Sequence, residues 1–508
     1  VPALPDPLTE EAANALSSRL SDSEVRALLL DQLNAQASDT GAQDAEIGDL
    51  LFHATTGAFS SITEAVERLP MLFTEQGKAF ANFGRFVGTN GLWSLAGYFV
   101  MVLIGALIVE LIFRRFIRRW LVLPKVAGTS PSLRDAVGPL AIRLTSEILS
   151  VVVFIVAAQQ ITQWAVPQYY HPFITLVGPW LIGLPRLAVA VSRFLMAPTA
   201  PAYRIVYADD ATARAIVFHM FWFGFLIGLG AVILPFNAAN GVPQGETRIG
   251  FWSNLSVHVY VAIVLWIYRD ACVKMMRGSD PAVSPIEDWI ARAFPYFGII
   301  VAFGTWWIVN IVASFENWAL LQSAPHYKTL GLLIFAPAMD TAIRGLVRHL
   351  VPPMSGEGPI AERAYVATMR SYVRIGRVIV FGCVLIAIGS FWGINATTVA
   401  TAGVGERFAA RLIEFLMILA IGYLVFELVS LFINRKLAAE QTASGYDPEN
   451  EEMGGGDGGG AGGSRLSTVL PLILGVSQAT IAIVFLLLAL GNIGVDTTPL
   501  LAGAGIVG

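Results

Sequence analysis

Residues 92–119 read LWSLAGYFVMVLIGALIVELIF followed by RRFIRR: an apolar stretch from Leu92 to Phe113 with one acid, Glu110, and then Arg114, Arg115, Arg118 and Arg119. A helix crossing the ~30 Å hydrocarbon layer needs about 20 mostly apolar residues. Basic residues beside a span resist translocation. The stretch therefore predicts a transmembrane helix whose C-terminal end is cytoplasmic. Working outward, the same reading places further spans near 138–162, 172–196, 213–236, 252–268, 294–315, 327–345, 376–393, 405–434 and 467–491, ten in all. The runs at 252–268 and 327–345 are the shortest of them. A further apolar run begins near Thr497 and reaches Gly508.

Composition agrees with a polytopic membrane protein. Of 508 residues, 55% are hydrophobic and 14% charged, with a mean hydropathy of +0.64. Soluble domains carry about 25% charged residues. The net charge of −4 is too near neutral to suggest nucleic-acid binding, and Cys272 and Cys383 are too few for a disulfide framework or a cysteine metal site. The six histidines show no metal-ligand spacing, so neither a metal nor another cofactor is expected, and no catalytic constellation is found. Counting loops in order, the odd ones hold 23 Lys and Arg and the even ones 4, Arg248, Lys328, Arg407 and Arg411. This alternation supports the span count and puts the N-terminus outside the cytoplasm. The expected class is an all-α integral membrane protein of the bacterial inner membrane, with a periplasmic N-terminal helical segment.

Organisation follows from these spans. Residues 1–90 form the exported segment; with no signal sequence in Val1-Pro2-Ala3-Leu4-Pro5, a removed signal peptide is inferred. Within the segment, Ser21-Asp22-Ser23-Glu24 has capping-box spacing. Residues 91–395 hold eight spans and 396–439 the ninth. Residues 440–466 form an acidic, glycine-rich cytoplasmic loop with eight glycines between 454 and 463, and 467–508 hold the tenth span and the start of an eleventh helix.

Ionisable groups at membrane depth are functional candidates because they are costly there. Glu110, Glu147 and Asp340 each have an arginine four residues away, and Glu414 one at three, spacings that pair on a helix surface. Arg186, after Pro185, and Glu427 have no such local partner. They are read as a pair across helices or as contacts for an ion or a lipid headgroup. Arg363, Arg370, Arg374 and Arg377 share one helical stripe, which suits a helix on anionic headgroups better than a voltage sensor. His219 and His258 lie on adjacent spans and are placed to meet, as ordinary hydrogen-bonded core residues.

The last forty residues carry the most specific signal. Leu470-Pro471-Leu472 opens a long span that ends at Gly491-Asn492-Ile493-Gly494-Val495, and Leu500-Leu501-Ala502-Gly503-Ala504-Gly505-Ile506-Val507-Gly508 follows. Small residues allow close helix approach. This run resembles the penultimate helix and the opening of the pore helix in MscS-type mechanosensitive channels. The eight preceding spans, the exported segment and its Ser18–Arg26 stretch are similar to the long, YbiO-type members. The resemblance implies a homoheptamer in which Ala502, Gly503, Ala504, Gly505 and Gly508 line a weakly selective, tension-gated pore, with membrane lipids as partners. It also implies a continuing pore helix and cytoplasmic domains that these 508 residues do not contain, so the sequence is expected to be part of a longer chain. The alternatives are a secondary transporter, with a midplane site involving Arg186 and Glu427, and a lipid-modifying membrane enzyme.

Overall fold

The computed structural model describes residues 52–120, 133–242, 247–278, 284–315, 317–350, 359–394, 404–443 and 465–498. The Ser21–Glu24 cap, the glycine-rich loop and Ala502, Gly503, Ala504, Gly505 and Gly508 lie outside the described residues. Helices dominate, and no strand occurs among the described residues. In hydrocarbon each backbone N–H and C=O must find its partner within the segment, which an α-helix provides.

In chain order the helices are α1 over 52–67, α2 (Leu69–Val87), α3 (Thr89–Trp120), α4 (Leu133–Ala165), α5 (His171–Val177), α6 (Leu184–Met196), α7 (Asp210–Ala239), α8 (Ile249–Ile267) and α9 (Arg269–Arg277). They continue as α10 (Pro285–Ser314), α11 (Trp318–Gln322), α12 (Pro325–Leu350), α13 (Pro359–Phe391), α14 (Val404–Ala443) and α15 (Arg465–Asn492). Ten candidate spans are long and apolar enough to cross a membrane, from Asn90–Ile117 to Val469–Asn492, and each overlaps a run predicted from sequence, including the two shortest.

Ends are set locally. Asp209 accepts the Thr212 N–H at 2.7 Å and starts α7. Ser284 and Glu287 form a reciprocal capping box before α10, with Pro285 in its first turn. The third span runs without interruption through three consecutive helical pieces. Between α5 and α6, Gly178–Gly183 forms a π-helical turn with Pro179 in its first turn, and Pro185 follows in the first turn of α6. Against it pack Gly224 and Gly228 of α7. A Cβ at Gly224 would lie 2.8 Å from Pro185 Cα, and one at Gly228 would meet the Trp180 carbonyl. This Gly-x-x-x-Gly pair lets two backbones touch.

Successive spans are neighbours through most of the chain: α3 with α4, α6 with α7, α7 with α8, then α12 with α13, α13 with α14 and α14 with α15. The short α9 and α10 pack at the end where α6 and α7 meet, around Leu195, Met196, Val206, Cys272 and Met275. At the opposite end α2 docks on α7. Gln76 and Asn237 exchange amide hydrogen bonds at 3.0 and 2.9 Å, and Asn82 donates to the Asn240 carbonyl at 3.0 Å. The last helix, α15, makes its main interface with α14, and its remaining surface is apolar and open at Leu472, Val476, Ile483 and Leu488.

Candidate functional site

Two arginine–glutamate clusters meet at one end of the first four spans. Glu110, near the end of α3, is buried and takes two partners: Arg114, one turn on, at 2.8 Å, and Arg186 of α6, which approaches with both terminal nitrogens. The Arg186 guanidinium also lies over the Phe154 ring of α4, 5.3 Å from its centroid. A cation over a ring face is attracted by the ring quadrupole. Glu147 of α4 likewise takes Arg143 at 3.2 Å and Arg193 of α6 at 3.7 Å. Between the clusters opens a groove of about 450 Å³ lined by Arg114, Arg186, Arg193 and Glu147, with Phe218 and Phe221 of α7 on its rim.

The expected pairing of Arg186 with Glu427 does not form. Glu427 of α14 is buried and instead accepts from Arg374 of α13 and from the Tyr423 hydroxyl, each at 3.1 Å. The arginine stripe has acidic partners on neighbouring helices. It belongs to α13, one continuous helix that runs on into the apolar span Tyr365–Phe391. Arg377 binds Asp340 of α12 and Glu287 of α10, both at 2.6 Å, and Asp340 also takes Arg344 at 2.8 Å. Acids on three neighbouring helices thus pair with Arg374 and Arg377, and Arg374 remains exposed. Arg370 is exposed on the same helix, and the side chain of Arg363 lies outside those described.

Both histidines are hydrogen-bonded, as expected of ordinary residues in apolar helices, but not to each other. His219 and His258 do not meet: His219 Nδ1 lies 2.8 Å from the Tyr260 hydroxyl, while His258 donates from Nδ1 to the Asn254 carbonyl at 2.8 Å. The neighbour of His258 is His326 on α12, with ring centroids 5.7 Å apart, and the Asn254 amide reaches His326 Nε2 at 2.8 Å. Asn254 and His258 stand one turn apart on α8, a spacing visible in sequence; their partner on α12 required the fold. No group of three or more His, Cys, Asp or Glu able to hold a metal occurs among the described residues.

What these sites can do follows from their charges. The groove presents guanidinium groups, the side chains best shaped for bidentate binding of phosphate or carboxylate. Arg186 lies ten residues from the end of its span at Met196, about 15 Å at 1.5 Å per residue. Its charge is held there by Glu110. Comparison with protein-family models, with curated proteins and with solved structures gives no match.

Proposed function

We propose that this chain is the lipid-facing part of a tension-gated, weakly selective ion channel of the bacterial inner membrane, protecting against hypo-osmotic shock. The observation that carries the reading is α15. This long apolar helix leans on α14 alone for its main interface and leaves an open apolar face to lipid or to neighbouring subunits. In sequence it is followed, after the break Asp496-Thr497-Thr498-Pro499, by the small-residue run Ala502-Gly503-Ala504-Gly505, whose resemblance to a pore helix supports a pore lined by one such helix from each of seven subunits. The remaining spans give the subunit a wide lipid-facing perimeter, with apolar side chains exposed along α3, α7 and α10.

Tension favours whichever state occupies more membrane area, as a ligand favours the state it binds better. Helices held to each other by ion pairs at their ends and touching lipid along their lengths suit such a device. The basic loops put the N-terminus in the periplasm and residues 440–466 in the cytoplasm. The transporter alternative calls for Arg186 and Glu427 at a common midplane site; they sit in separate ion-pair clusters with partners of their own. The test is an excised patch from cells lacking their own tension-gated channels and expressing the reading frame that contains these residues. Suction is ramped at fixed voltage of either sign. Discrete openings that rise with tension and depend little on voltage are expected. Silence up to patch rupture, with the protein present in the membrane, refutes the reading.

A further inference from the structure

We propose that the groove between α3, α4, α6 and α7 binds the phosphate of an anionic phospholipid. The charge arithmetic carries this inference, and it stands whether or not the chain gates a channel. Glu110 answers two arginines, Arg114 and Arg186, and Glu147 answers two, Arg143 and Arg193. Each cluster therefore keeps one uncompensated positive charge, and Arg114 and Arg186 of the first and Arg193 of the second line the same groove.

Uncompensated charge within a candidate span is costly, and a bound anion offsets it. Arginine offers a phosphate two parallel N–H donors. Arg114 and Arg193 keep 43% and 44% of their side chains accessible, so they remain able to reach a ligand while holding their glutamates. Beside these charges the groove carries apolar side chains, of which Phe218 and Phe221 are exposed and Val151 is buried. A soluble anion gains nothing from the exposed rings, whereas a phospholipid matches both the charges and the rings. All the participating ends, the C-terminal ends of α3 and α6 and the N-terminal ends of α4 and α7, point to the side of the basic loops. The headgroup bound is thus one of the leaflet facing those loops.

The experiment uses the purified full chain in detergent with a fluorescent phosphatidylglycerol probe. Competitors are unlabelled phosphatidylglycerol, cardiolipin, zwitterionic phosphatidylcholine and inorganic phosphate. Cardiolipin, with two phosphates for two spare charges, should compete best, phosphatidylglycerol next, and phosphatidylcholine at least about tenfold more weakly, since each basic residue near a headgroup contributes about 1 kcal/mol, several-fold in affinity. Inorganic phosphate should not displace the probe. The double variant Arg114→Gln/Arg193→Gln should bind the probe about 30-fold more weakly by the same arithmetic, and Arg114→Lys/Arg193→Lys should lose less. Equal competition by phosphatidylcholine and phosphatidylglycerol, or unchanged affinity in the Gln pair, overturns the proposal. Displacement by inorganic phosphate overturns the lipid assignment in favour of a soluble anion. If the Gln pair does not fold, competition on the unaltered protein still decides.

Discussion

Arg374 and Glu427 form an ion pair that is unequal in its surroundings, and this inequality predicts an asymmetric double-mutant cycle. Glu427 exposes 3% of its side chain and Arg374 43%. Replacing Glu427 by Gln leaves an arginine whose long stem lets the charge move toward water. The loss is then about that of one net hydrogen bond, ~1 kcal/mol. Replacing Arg374 by Gln strands a buried carboxylate with the Tyr423 hydroxyl as its remaining polar contact. Breaking a buried pair from that side costs about 3–5 kcal/mol. The double variant has no stranded charge and should lose only ~1–2 kcal/mol, giving a coupling energy of at least ~2 kcal/mol. Arg186→Gln supplies the internal control. Glu110 keeps Arg114 at 2.8 Å after that change, so its cost should fall below that of Arg374→Gln. The assay is reversible unfolding in mixed micelles of mild detergent and sodium dodecyl sulfate, followed by tryptophan fluorescence. Equal losses for the two single Gln variants at the Arg374–Glu427 pair, or losses that simply add in the double variant, would refute the claim that burial of the acid controls this pair.

Three further outcomes can be checked on the same protein. Gly224→Ala should destabilise by about 1–3 kcal/mol through overpacking against Pro185. Gly97→Ala on α3, where a Cβ meets nothing within 4 Å, should be neutral or stabilising by up to ~1 kcal/mol from helix propensity; thermal unfolding compares them. The Thr212 N–H holds the Asp209 carboxyl below its usual pKa, as the α7 cap. Its contribution is therefore present above the unfolded carboxyl pKa and is lost as pH falls through the lower folded one. Asp209→Asn should remove that acid-limb dependence while keeping a cap, and Asp209→Ala should lose both, read from unfolding midpoints across acid pH. Burial pushes the Cys272 thiol up to about 11, so in a Cys383→Ser background a maleimide gel shift at neutral pH should be slow in the folded protein and fast after denaturation.

The span architecture was legible because hydropathy and loop charge are summed over twenty residues at a time, and local errors average out. Even the short α8 and α12 stood where their apolar runs placed them. Gly178, Pro179 and Pro185 coincide with the π-helical turn of the third span, and Gly224 and Gly228 have the spacing of a close-packing pair. The ion-pair partners were a different matter. Glu110 had an arginine four residues away and looked satisfied, which hid its capacity to hold a second one from α6. Arg374 stood in a stripe with a plausible surface role, which hid it from Glu427. Helical spacing identifies which side chains share a face, but the rotation and depth of each helix decide which faces meet, and those are fixed by packing such as the Gly224–Pro185 contact. A carboxylate can accept from two guanidinium groups at once, so a local partner never proves that an acid is fully used. The groove follows from that excess capacity: two acids, each shared by arginines from two helices, hold four cations, three of which line the groove, and leave two charges for an outside anion.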